Sequence, residues 1–204
     1  MSNRSCFGVL MALFVVLFAV LAVSPREPAT WAMENAVAVL FVIGLWVTRR
    51  WFRFSRSAYL MMFSFLALHE IGAHYTYSHV PYDQTLHTLF GFSPDAVMGW
   101  QRNQYDRFLH LLYGLLLVLP LSELCREWGG LRRPGAALFA FSLILASSLL
   151  YELIEWGAAV VLGDGSTAFL GTQGDPWDAQ KDMALATVGA LASLVIAALA
   201  RRIR

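Results

Sequence analysis

Six apolar stretches nearly free of charge constrain this chain more than any other feature: Cys6–Val23, Trp31–Thr48, Ser57–His74, Asp106–Leu121, Gly135–Trp156 and Asp178–Ala200. Each approaches the ~17 to 25 residues a helix needs to cross a hydrocarbon core ~30 Å thick. Only helices and closed barrels cross lipid without stranding backbone groups, and the alternation that marks barrel strands is absent. Composition agrees, with 58% hydrophobic and 14% charged residues, where soluble domains carry roughly a quarter charged. A disordered chain, a disulfide scaffold and a nucleic-acid binder are excluded. The sequence predicts an all-α, polytopic membrane helix bundle of about six transmembrane helices, with residues 1–204 forming a single integral membrane domain.

Orientation follows from the basic residues. Arg4, then Arg49, Arg50, Arg53 and Arg56, then Arg126, Arg132 and Arg133, then Arg201, Arg202 and Arg204 fall on one side of a six-span alternation. By the positive-inside rule both termini are cytoplasmic. The first span reads as an uncleaved anchor. Its apolar run exceeds the ~7 to 15 residues of a signal core, and Pro25 follows the cleavage-like Ala22-Val23-Ser24. Cys6 and Cys125 then lie at the reducing side on different helices, against a structural disulfide. The outer segments Tyr75–Tyr105 and Gly157–Trp177 mix aromatics with turn formers, as an interfacial positioning belt or a lid over a site does.

This topology gathers ionisable residues in one outer layer. The third helix ends in His69-Glu70-Ile71-Gly72-Ala73-His74 and the fourth opens with Asp106-Arg107-Phe108-Leu109-His110. The fifth ends in Tyr151-Glu152-Leu153-Ile154-Glu155-Trp156, and the sixth opens with Asp178-Ala179-Gln180-Lys181-Asp182. Glu34, near the outer end of the second helix, is a further candidate for the layer. Glu70 and His74, Asp106 and His110, and Asp178 and Asp182 are four apart, and Glu152 and Glu155 three apart, so each pair shares a helix face. Inward-facing acids and histidines on neighbouring helices are how bundle metal sites are built. The zinc-protease pattern is not met, because His69 and His74 are five apart and point about 140° away from each other.

Seven carboxylates (Glu70, Asp106, Glu152, Glu155, Asp175, Asp178 and Asp182) stand in or beside this layer against two fixed cations, Arg107 and Lys181. The excess has to be met by solvent, protons, a protonated histidine, a metal ion or a cationic ligand. Asp106, Asp175 and Asp178 equally suit helix N-termini as caps or dipole partners. Glu70, Glu152 and Glu155 sit at outward-going helix ends, where negative charge opposes the dipole, and read as functional. In Gly171-Thr172-Gln173-Gly174-Asp175-Pro176-Trp177 the glycines permit tight backbone turns, Pro176 suits a first helical turn and Asp175 a cap.

These runs, with His74-Tyr75-Thr76-Tyr77 and Asp182-Met183, resemble the YjdF-type family of bacterial inner-membrane proteins over nearly the whole chain from the second span onward. That resemblance implies a multi-pass bacterial inner-membrane protein and supplies no reaction. A weaker similarity is to the VanZ-like membrane proteins, associated with glycopeptide resistance. Asp106, Arg107 and His110 match their Asp-basic-x-x-His run, Tyr113 stands one position earlier than in that pattern, and Asp178 and Asp182 resemble a later acidic helix start. It implies a cell-envelope role.

Three functions remain open on sequence alone. The first is a metal-assisted hydrolase or transferase at the periplasmic face, acting on a membrane lipid or lipid-linked small molecule. Its catalytic candidates are Glu70, His74, His110, Glu152, Glu155 and Asp182, with His74 or His110 as general base. Arg107, Gln173, Asp178 and Lys181 are the substrate-binding candidates. His69, Glu70, His74, His110, Glu152 and Glu155 are candidate ligands for a divalent Zn, Mn or Mg ion. No cysteine, G-x-S-x-G or phosphate-cradling glycine loop supplies a nucleophile. The second is a proton- or ion-coupled transporter using the same acids and histidines. The third is a non-catalytic envelope factor that binds a lipid or protein partner through the outer loops.

Overall fold

The computed structural model describes residues 2–162 and 172–202, all of whose regular structure is helical. The elements are α1 (Asn3–Leu21), α2 (Pro28–Thr48), α3 (Arg56–His74), α4 (Tyr82–Phe90), α5 (Pro94–Met98), α6 (Tyr105–Glu127), α7 (Arg133–Leu162) and α8 (Asp178–Arg202). Local signals set several ends. Ser2 and Ser55 side chains accept from the backbone N–H groups of Ser5 and Ala58, and Pro28 opens α2, where its missing N–H costs nothing.

Among the described residues α1, α2, α6, α7 and α8 are long and apolar enough to cross a membrane. The 19-residue α3 falls outside that set, because His69, Glu70 and His74 lower the hydropathy of its outer end. The segment Tyr75–Tyr105, expected as a loop, contains the short helices α4 and α5. Gly91 and Gly99 end them at φ near +67°, a left-handed position that favours glycine. Asp83 ties the two together, accepting from the Ser93 hydroxyl and the Asp95 N–H. Of the other outer segment, Gly163–Gly171 lies outside the described residues, as does Arg204.

Helix α6 is central, packing on α3, α7 and most extensively on α8. The α6–α8 crossing is a contact of backbones. A Cβ placed on Gly114 would press on the Ala186 carbonyl oxygen and stand 2.6 Å from the Ala190 nitrogen, and one on Gly189 would press on the Leu111 carbonyl and stand 2.9 Å from the Leu115 nitrogen. Small residues that admit such an approach are how helices associate in lipid, where no hydrophobic force drives them together. Glu123 accepts from the Ser55 N–H at 2.5 Å and from its hydroxyl at 2.6 Å, fastening the α2–α3 connection to α6. Helix α2 packs chiefly on α3 and stands off from α6 and α7. The outward faces of α1, α2 and α7 carry exposed Val16, Leu40 and Leu138, the faces that lipid covers.

Candidate functional site

The gap beside α2 is a cleft of about 560 Å³ between α2, α3, α6 and α7. Each helix presents one stripe to it: Glu34, Ala38, Phe41 and Leu45 on α2, Leu109, Tyr113 and Leu117 on α6, and Leu143, Ser147, Tyr151 and Glu155 on α7. These are the i, i+3 and i+4 spacings of a single helical face. The end beside the α2–α3 connection is walled by Phe52, Leu124 and Trp128, and the opposite, outer end by Glu34, His69, Tyr77, Asp106, His110 and Glu155.

The outer end is assembled by a strained turn. After α3, Thr76 and Tyr77 both take left-handed conformations, at φ 55° and 49°, each costing on the order of 1–3 kcal/mol in a non-glycine residue. The turn closes when the Tyr77 N–H donates to the Gly72 carbonyl at 2.7 Å, and it folds the Tyr77 ring back over Gly72. A Cβ on Gly72 would lie 2.6 Å from that ring. The Tyr77 hydroxyl consequently reaches His69 Nδ1 at 2.6 Å and interacts with Glu34, whose Oε2 also accepts from the Tyr151 hydroxyl. Glu34 and His69 are both buried, so three helices and a turn converge on one hydrogen-bonded set.

Beside it lies a second group. The ligand-capable atoms of Asp106, His110 and Asp182 all fall within 4.8 Å of one another. His110 Nε2 stands 3.7 Å from Asp106 Oδ1 and 3.6 Å from Glu152 Oε1. These separations exceed a hydrogen bond. They approach the ~3.4 Å spacing of two donors held ~2.1 Å from one tetrahedral ion. Glu152 Oε1 and Asp182 Oδ1 are buried without a hydrogen-bond partner among the described residues. Native structures rarely leave such atoms unpaired, and an ion is one of the few agents that satisfies a carboxylate set. The donor set therefore fits a hard or borderline divalent ion.

An ion-pair cap closes this group from outside. Asp178, almost fully buried, accepts from Arg102 at 2.5 and 3.2 Å and from Arg107 at 2.9 Å. Asp175 pairs with Arg107 and Lys181 and accepts from the Trp177 N–H at 3.0 Å. The hydrogen bond from Lys181, with that N–H, holds the Asp175 carboxyl well below the usual carboxylate range. Arg102 is thus a third cation beside the layer, joined to Asp178 across 76 positions by tertiary packing that no local spacing encodes.

The other sequence candidates distribute as follows. Glu155 lines the cleft, in electrostatic reach of Asp106 and Glu34. Glu70 is fully buried with neither oxygen hydrogen-bonded among the described residues. One turn before it, Leu66 packs with Phe14 of α1 and Ala38 of α2, so Glu70 shares that face of α3. His74 Nδ1 meets the Leu21 carbonyl at 2.8 Å, which turns it to the end of α1. Gln173 spends both ends of its amide on the Asn103 backbone, each at 3.0 Å, and Lys181 is half exposed on Asp175. Asp106, read equally as a cap, joins the ion-ready group. Tyr77 and Tyr151 join the site through their hydroxyls, and no sequence spacing marks them, since an aromatic beside acids carries no distinguishing period.

Comparison with known proteins places the chain. Residues 7–203 match the family model described as Predicted membrane protein (DUF2238). The chain is 35% identical over 179 residues to the Inner membrane protein YjdF of Escherichia coli (strain K12), covering 86% of this chain and 81% of that protein. No solved structure matches it. The YjdF-type resemblance read from the outer-layer motifs is borne out, and the chain belongs to the DUF2238 family as a multi-pass protein of the bacterial inner membrane.

Proposed function

We propose that this protein is a metal-assisted hydrolase or transferase acting at the periplasmic face on the head of a membrane lipid or lipid-linked molecule. The observation that carries this reading is the pair of buried oxygens of Glu152 and Asp182, without a hydrogen-bond partner among the described residues, near His110 and Asp106. Asp106, His110 and Asp182 would hold the ion, with Glu152 beside His110. When bound, such an ion polarises a phosphoryl or acyl oxygen or activates water. Glu155 and Glu34 line the adjoining cleft, positioned to take a proton from the attacking water or return one to the leaving group. The Tyr77 and Tyr151 hydroxyls orient Glu34. Arg102, Arg107 and Lys181 neutralise Asp175 and Asp178 and so hold the first turn of α8, with Asp182, in place. A transport pathway is less well supported, because the cleft becomes apolar toward its cytoplasmic end.

The reading assumes one integral membrane domain of six spans, α3 included, with both termini cytoplasmic, as the arginine asymmetry requires. Reporter fusions after Arg56 and Arg133 should read cytoplasmic, and fusions within Ser78–Gln101 external. An internal signal from the latter would move the acids to the wrong side and end the proposal. Elemental analysis of detergent-purified protein tests the ion itself. A stoichiometric Zn, Mn or Mg, lost on chelation and in His110→Ala, supports the enzyme. Proton flux in metal-free liposomes supports transport instead, and neither result leaves a non-catalytic envelope factor.

A further inference from the structure

The cleft has dimensions and a polarity gradient of its own. Along α2 its lining runs from Thr30 to Thr48, eighteen residues or about 27 Å at ~1.5 Å each, nearly the depth of a hydrocarbon core ~30 Å thick. Spreading 560 Å³ over that length gives a mean cross-section of about 21 Å², a groove with a lane roughly 5 Å wide. With carbon atoms in contact at ~4 Å, this is the scale of one extended hydrocarbon chain. Between the ends the walls are apolar except for Tyr113, Ser147 and Ser148, and Tyr113 and Ser147 satisfy each other at 2.5 Å. Such walls suit hydrocarbon and offer little to water.

The outer end is different in kind. Glu34, Asp106 and Glu155 line it without any lysine or arginine, and Glu34 and Tyr77 are buried. Carboxylates of this density repel a bare phosphate but hold one through a shared divalent ion.

We infer that the cleft binds a single-chain amphiphile, an acyl or prenyl phosphate, with its tail along α2, α6 and α7 and its head at the Glu34–Asp106–Glu155 end. The head's contact rests on the proposed ion site, whereas the tail's contact does not. Helix α2 supplies the means of testing the tail, because a Cβ on Gly44, which lines the cleft, meets nothing within 4 Å. Gly44→Phe should fill the channel without disturbing a neighbour, and Val37→Trp, at a half-exposed lining position, should do so from a second point.

The experiment is photo-cross-linking in nanodiscs with three probes carrying a mid-chain diazirine: a lysophosphatidic acid, a prenyl phosphate of similar length and a diacyl phosphatidic acid. Labelled residues are mapped by peptide mass spectrometry. At least one single-chain probe should label Leu117, Leu121 and Leu143 saturably, at one per protein, and its preference over the other tells an acyl from a prenyl tail. Labelling should fall at least tenfold in Gly44→Phe or Val37→Trp while divalent-ion content and melting temperature hold. Equal labelling of these residues by the diacyl probe, or labelling indifferent to both substitutions, overturns the inference and leaves the ion reading untouched. Conversely, blockable labelling in a protein that binds no ion removes the ion reading and keeps the tail site.

Discussion

Gly114→Ala tests the claim that the candidate site depends on the closeness of α6 and α8. The added methyl would stand 2.6 Å from the Ala190 nitrogen, where ordinary contact begins at 3.4 Å, and it presses on the Ala186 carbonyl as well. Both neighbours are backbone, so relief requires the helices to part by about 0.8 Å or more. Overpacking of this kind costs ~1–3 kcal/mol, with rigid backbone placing it at the upper end, and the helical preference of alanine over glycine returns about 1 kcal/mol. A net loss near 2 kcal/mol corresponds to roughly 4–8 °C in a chain of this length. Asp106 and His110 lie up to two turns outward of Gly114, and Asp182 one turn outward of Ala186, so the group now within 4.8 Å is spread by a similar distance. Loosened metal sites of this sort lose on the order of 10- to 100-fold in affinity. The assay is Mn²⁺ titration and thermal unfolding of the purified protein, with Gly157→Ala, whose added Cβ meets nothing within 4 Å, as control. Wild-type affinity and melting temperature in Gly114→Ala would refute the reasoning.

Three further outcomes are expected. Asp182→Asn should lower ion content at least tenfold while the melting temperature holds or rises, because it removes one of several like charges; unfolding would instead mark Asp182 as a paired structural acid. Arg102→Gln leaves buried Asp178 with Arg107 alone and should cost about 1–3 kcal/mol by chemical denaturation, with a smaller effect indicating that Arg107 suffices. Burial, with Asp95 accepting its hydrogen bond, pushes the Tyr82 phenol up to about 12. A raised folded-state value means that this bond stabilises the α4–α5 segment fully below pH ~10 and is lost as pH climbs through about 12. Ultraviolet titration of the phenolate and hydrogen exchange of α4 should report that order, and loss of protection below pH 9 would contradict it.

Much of this protein follows from local sequence. A charge left in hydrocarbon is so costly that the apolar blocks of α1, α2, α6, α7 and α8 mark themselves as spans. The same cost sets the depth at which Glu34, His69, Asp106, Glu152 and Asp182 meet. Depth is one coordinate, however, and the direction a side chain faces is set by which helix packs beside its own. His69 and Glu70 are adjacent in sequence and nearly equal in depth, yet His69 lines the cleft and Glu70 does not. Neighbouring residues on a helix point about 100° apart. On the neighbouring helices, Gly114 and Gly189 let α8 lie backbone to backbone on α6 and bring Asp182 to His110 across 72 positions. The Tyr77 turn and the standing-off of α2 are of the same kind. They are contacts between segments distant in sequence, which no local period encodes, so the apolar pattern fixed the layer and tertiary packing alone decided which of its members form a site.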